Sequence, residues 1–248
     1  MLNRARVIPL LMFFCAVSFA QNRNAQSQVS FVKSKDGTRI ALECLGDGPA
    51  LLIVHGGSGD RNRWKPLLPL FASHFKACAM DRRGHGQSES GSDYALRKEA
   101  QDVVAVVENL PGPVFLLGHS IGGIISLEAT SLTKKITKLV LYEPPLQERD
   151  HTAAANEMEK LIQAGKREQA MEVFLRDIVL VSPAEMEKMK AHPAWAARAA
   201  GIDVQIREIR ATTKYRFDPK RVSKIKTPTL LLKAARPRHL NCRRRSIL

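Results

Sequence analysis

The chain has 248 residues, 44% hydrophobic and 25% charged, which is enough for one large domain with a full core and ordinary for a globular protein. Its formal charge of +15 is concentrated at one end: ten of the 39 basic residues and none of the 24 acidic ones lie from Lys220 onward, leaving 29 against 24, a net of +5, in the first 219 residues. The basicity therefore belongs to a tail and not to the domain, which removes the main argument for a nucleic-acid-binding role.

At the N-terminus Arg4 and Arg6 precede an apolar run over 7–20, and Ser18-Phe19-Ala20 offers small residues at the spacing of a cleavage site before Gln21. At ~14 residues the run is short for a membrane span. Residues 1–20 are thus predicted to be a signal peptide and 21–28 a flexible start to the mature chain. The expected destination is periplasmic or secreted, with no stable membrane insertion after cleavage. Cys44, Cys78 and Cys242 then remain, an odd number at spacings that match no metal site. Cys44 and Cys78 lie in strand-like runs and are expected to be buried thiols, with a disulfide as the alternative in an oxidising compartment.

Residues 29–33 and 39–44 alternate apolar and polar side chains around Lys35-Asp36-Gly37, a hairpin signal. Residues 50–54 form a continuous apolar run of the kind buried on both faces of a sheet, ending in His55-Gly56-Gly57-Ser58-Gly59. A helix is predicted over 61–71 with Trp64 on its packed side, then a strand over 75–80 and a loop, Asp81-Arg82-Arg83-Gly84-His85-Gly86-Gln87-Ser88. Over 94–110 the apolar residues Leu96, Ala100, Val103, Val104 and Val107 share one helical face.

The next stretch carries the chemistry. An apolar run over 114–117 meets Gly118-His119-Ser120-Ile121-Gly122 and passes directly into the helix-like 124–129. A sharp strand-to-helix turn requires small residues where the chain crosses itself, and Gly118 and Gly122 supply them. Ser120 is left at the tip, beside the free N–H groups of a helix start. A strand is predicted over 137–142, followed by Glu143-Pro144-Pro145. From 147 to 215 strand-like runs stop and charged amphipathic stretches take over, with Ser182-Pro183-Ala184-Glu185 reading as a helix start. Residues 229–232 resume the sheet.

Together these motifs resemble the α/β-hydrolase family over 29–233. His55-Gly56-Gly57-Ser58-Gly59 resembles its oxyanion loop, the segment 81–88 its Asp-x-Arg-Gly-x-Gly-x-Ser loop, and Ser120 falls at its nucleophile elbow. The resemblance implies an α/β fold: a mostly parallel twisted sheet with helices on both faces, its core over 29–146 and 216–235. A helical cap over 147–215 would roof the site, and 236–248 would be a basic, disordered tail. It also implies a serine hydrolase acting on a small ester-like or related carbonyl substrate through an acyl-enzyme, with no metal and no organic cofactor. Ser120 would be the nucleophile, and the backbone N–H groups of Gly57 and Ile121 would be the oxyanion donors, with Ser58 as alternative.

The sequence departs from the family pattern where the family carries its acid and its histidine. After the strand over 229–232 the chain reads Lys233-Ala234-Ala235-Arg236-Pro237, and no carboxylate occurs beyond Asp218. The last helix and strand are expected to be missing through a truncated or frame-shifted C-terminus. Glu143, at a position where some family members carry the acid, and His239 are the candidate acid and base. His55 and His85 are expected to be hydrogen-bonded loop residues, and His119 to point away from Ser120. The alternative function is a non-catalytic remnant or ligand-binding protein on the same fold.

Overall fold

The computed structural model describes residues 28–146 and 149–233. The proposed signal segment, His239 and Cys242 therefore lie outside the described residues. Among the described residues seven strands form one sheet in the order β1-β2-β4-β3-β5-β6-β7: β1 Val29–Lys33, β2 Arg39–Leu45, β3 Ala50–Val54, β4 Lys76–Met80, β5 Val114–His119, β6 Ile136–Tyr142 and β7 Thr229–Leu232. The β1–β2 and β2–β4 pairs are antiparallel and all the others parallel. The central strands β3 and β5 are apolar because helices cover both faces, so neither side chain set meets water.

On one face α2 (Leu96–Asn109) and α3 (Ile121–Thr130) pack Val103, Val106, Val107 and Ile125 against Leu52, Val54, Cys78 and Leu116. On the other, Trp64 and Leu68 cover Leu51, Ile53, Ala77 and Ala79. Each such large aliphatic side chain taken out of water contributes about 1.5–3 kcal/mol. β7 is an exception, since Leu230, Leu231 and Leu232 are 54%, 58% and 42% exposed.

The single helix expected over 61–71 is instead a 3-10 turn, Arg61–Trp64, and a short α1, Leu68–Ala72. Pro66 lies between them and has no N–H to continue a ladder. Trp64 is buried as expected.

The expectation of free thiols also fails. Cys44 and Cys78 form a disulfide. They are register partners on the antiparallel strands β2 and β4, which brings their Cα atoms to 4.0 Å. Sequence could not show this, because 34 residues separate the two and only the sheet order makes them neighbours.

Between β6 and β7 lie α4 (Thr152–Gln163), α5 (Arg167–Val173), α6 (Pro183–Lys190), α7 (Trp195–Ala200), α8 (Asp203–Lys214) and α9 (Pro219–Val222). Helix α5 widens into a π-helical turn, Phe174–Val179, that ends at left-handed Leu180. Ser182 and Glu185 make a reciprocal cap at the start of α6. Helices α4–α8 share their own apolar cluster, which includes Met158, Met171, Phe174, Trp195 and Ile209.

Candidate functional site

Ser120 sits on the turn between β5 and α3 with φ 53° and ψ −127°, a conformation that a side-chain-bearing residue adopts only when its surroundings impose it. The imposition comes from two backbone crossings. A β-carbon on Gly118 would stand 2.4 Å from the Gly122 carbonyl oxygen, and one on Gly122 would stand 2.4 Å from that of His55. Hydrogen bonds fix the tip as well: Ser120 N–H donates to the Tyr142 carbonyl at 2.9 Å, and Gly123 N–H to the Ser120 carbonyl at 2.7 Å.

The loop after β3 approaches this tip from the neighbouring strand. A β-carbon on Gly56 would lie 3.1 Å from Ser120 Cβ, and Ser58 is held in the left-handed region at φ 51°. The N–H groups of Gly57 and Ser58 donate to no acceptor among the described residues, and that of Ile121 is the first of its helix, where no intrahelical acceptor exists. The loop that carries Gly57 and Ser58 thus meets Ser120 at Gly56, and Ile121 follows Ser120 in the chain.

Glu143 follows β6 one position beyond the His119–Tyr142 register pair, so it occupies the strand end next to Ser120. It too has a positive φ, 48°, and its N–H donates to the Leu232 carbonyl at 2.8 Å. Strained residues at adjacent strand ends, Ser120 and Glu143, lie on the carboxyl edge of the sheet where open α/β folds bind ligands.

Among the described residues no histidine hydrogen-bonds the Ser120 hydroxyl. His55 is wholly buried, with Nδ1–H donating to the Gly56 carbonyl at 2.7 Å and Nε2 accepting from Arg82 N–H at 3.0 Å. His85 Nε2 is 2.6 Å from Glu208 Oε1. His119 lies on the face with Trp64 and Tyr142, its ring 4.9 Å from that of Tyr142. Burial, then the charge of Arg63, lowers its pKa to about 4. Burial likewise holds His55 well below the ordinary histidine range.

Both imidazoles therefore stay neutral in the fold while the unfolded chain takes up protons near pH 6.5. The unfolded state binds more protons as pH falls, so stability is complete above that pH and declines from there toward pH 4. The urea midpoint is expected to be lower at about pH 5 than at about pH 7.5, with a smaller decline in His119→Asn. Equal midpoints at the two pH values would refute this.

Sequence reading missed the residues that join the helical segment to the core. The Arg82 guanidinium is buried, pairing with Glu99 of α2 and with Glu208 of α8 at 2.7 Å each, and it reaches the Gly56 carbonyl at 3.3 Å. Gln205, also on α8, is 1% exposed and lies over Gly57, its side-chain oxygen 2.7 Å from where a β-carbon would stand. Arg198 of α7 donates to Ser58, from Nη2 to Oγ at 3.1 Å and from Nε to the carbonyl at 3.3 Å. The available signal was the three-residue spacing of Gln205 and Glu208 beside Ile209, a polar pair on the buried face of an amphipathic helix.

A model described as the alpha/beta hydrolase family matches residues 51–244. Protein phosphatase methylesterase 1 of Bos taurus is 30% identical over 132 residues, covering 50% of this chain and 33% of that protein. The chain thus spans about a third of the length of that curated relative. The crystal structure of an alpha/beta hydrolase from Sphaerobacter thermophilus is 30% identical, with a TM-score of 0.73, covering 82% of this chain and 80% of that one. An esterase from Exiguobacterium antarcticum, at 22% identity, a TM-score of 0.62, and coverage of 82% of this chain and 80% of that one, shares the fold.

Proposed function

The chain belongs to the alpha/beta hydrolase family, and on that premise we propose that it is a serine hydrolase acting on a small ester-like carbonyl substrate through an acyl-enzyme. The observation that carries the reading is the strained Ser120 at the tip of the β5–α3 turn, facing the Gly56–Ser58 loop. Ser120 Oγ would attack the carbonyl carbon. The oxygen that becomes negative would accept hydrogen bonds from the N–H groups of Ile121 and Gly57, with Ser58 as the alternative donor. Donors already in place need no reorganisation when the charge appears, and one of them is worth ~3–4 kcal/mol of barrier. Collapse expels the alcohol and leaves the acyl group on Ser120, which water then removes.

The proton of Ser120 must leave during attack. His55 and His85 are engaged with Arg82, Gly56 and Glu208, so neither serves. Glu143 at the adjacent strand end is the candidate acid, and His239 is the candidate base from outside the described residues. The reading is of a slow enzyme: removal of triad members in serine proteases leaves about 10³–10⁴-fold acceleration over water, from oxyanion donors and binding alone. The engaged histidines also favour a second reading, a ligand-binding protein on the same fold.

Fluorophosphonate labelling separates the two. Slow stoichiometric modification of Ser120 is expected, absent in Ser120→Ala and unchanged in His239→Ala, together with weak hydrolysis of p-nitrophenyl acetate. Rapid labelling lost in His239→Ala would reveal a working triad. No labelling under any condition would favour the binding protein.

A further inference from the structure

The helical segment brings to the loop beside Ser120 an amide donor without a partner and a guanidinium without a counter-charge among the described residues. Gln205 is buried and its Nε2 has no hydrogen-bond partner, although its amide lies over Gly57. A buried amide donor without a partner is costly, so its presence at this place points to a partner that arrives with a ligand. Phe174 Cζ lies 3.2 Å from the same Gly57 position and places an aromatic edge beside it.

One step further along the loop stand two guanidinium groups. Arg198 is half-buried against Ser58, and the Arg63 side chain passes 3.7 Å from where a β-carbon on Gly59 would stand. Neither forms an ion pair among the described residues. The contrast is with Arg61, Arg82 and Arg83, each of which is buried on carboxylates. Burial and the neighbouring charge of Arg63 together hold the Arg198 pKa below the ordinary guanidinium value, so an anion arriving here would relieve an existing repulsion. Ser58 is two residues from Gly56, at most about 7 Å of chain. The cation therefore stands on the same loop that meets Ser120 at Gly56.

From this juxtaposition we infer that the substrate is an acidic ester: a carbonyl compound whose acyl chain ends in a carboxylate. Arg198, assisted by Arg63, takes the carboxylate, and Gln205 donates its amide hydrogens to a substrate oxygen near Gly57. The inference rests on the reading of Ser120 as the reacting centre, but binding tests it without turnover. A guanidinium fork is matched to a carboxylate in shape as well as charge, which gives selectivity over neutral esters of equal length.

The probes are 5-oxohexanoate and 2-hexanone, ketone analogues that keep the carbonyl and cannot be hydrolysed, titrated calorimetrically into the full chain. The acid is expected to bind at least about tenfold more tightly than the neutral ketone, the size of one charge-assisted hydrogen bond. Arg198→Gln should remove most of that preference, while Arg198→Lys should keep part of it. Gln205→Leu should weaken both ligands. Urea midpoints of the variants separate a merely structural role, which would shift stability without changing the ratio of affinities. Equal affinity for the two ketones overturns the inference, as does a preference that survives Arg198→Gln, or an acid that fails to bind at its solubility limit. Loss of Ser120 labelling with the acid preference intact would instead overturn the catalytic reading alone.

Discussion

Arg82→Ala is expected to destabilise the protein by about 3–5 kcal/mol at neutral pH, the cost of removing one partner from a buried charge cluster. The guanidinium is wholly enclosed and holds Glu99 and Glu208 at 2.7 Å each, while Tyr94 donates its hydroxyl to Glu99 at 2.6 Å. The charge of Arg82, followed by that of His85, keeps the Glu208 carboxyl below the ordinary carboxylate range despite burial. Without Arg82 two carboxylates face one another, and one of them is expected to take a proton. The folded variant then binds more protons than its unfolded chain, so the deficit should shrink as pH falls toward 5. Urea unfolding of the variant and the wild type at both pH values checks this. A deficit below about 1 kcal/mol at neutral pH would mean that the cluster is not the fastening it resembles. Because Glu208 belongs to α8, the variant should also loosen the helical segment, and proteolysis between 150 and 215 reads that directly.

Gly122→Ala is the second large effect. The added carbon would stand 2.4 Å from the His55 carbonyl oxygen and 2.6 Å from that of Val54, and both are backbone atoms of β3 and its following loop. No rotamer change relieves a clash between backbone atoms in a close-packed interior, so α3 and β3 must separate. The expected cost is at least about 3 kcal/mol. Since β3 leads into the Gly56–Ser58 loop and α3 begins at Ile121, the same shift would pull the proposed oxyanion donors away from Ser120. Fluorophosphonate labelling should therefore disappear even in molecules that remain folded. Gly165→Ala is the control: nothing lies within 4 Å of its added carbon, and only the positive φ of 74° opposes it. That variant should lose about 1 kcal/mol and keep its labelling. Labelling at the wild-type rate in Gly122→Ala would show that the turn tolerates what its geometry forbids.

What the sequence determined by itself is local. The apolar runs at 50–54 and 114–117, the glycine pair around Ser120, the helical face within 94–110 and the cap at Ser182 can all be read because each depends on residues a few positions apart, with steric and periodic requirements that no distant contact is needed to express. The position of Ser120 followed from the same short-range rules, whereas the loop of its proposed donors came from the resemblance to the family. The tertiary structure alone decided who meets whom. Arg82 meets Glu208 across 126 residues and Arg198 meets Ser58 across 140, while Cys44 meets Cys78 only because the sheet order seats β2 beside β4. Periodicity shows that Gln205 and Glu208 share a helix face. It cannot show that the face is turned onto Gly57 and Arg82, because a polar side chain has the same helical spacing whether it faces water or a buried partner. Pairing of that kind is fixed by how strands and helices cross in space, and the chemistry of this site depends on it.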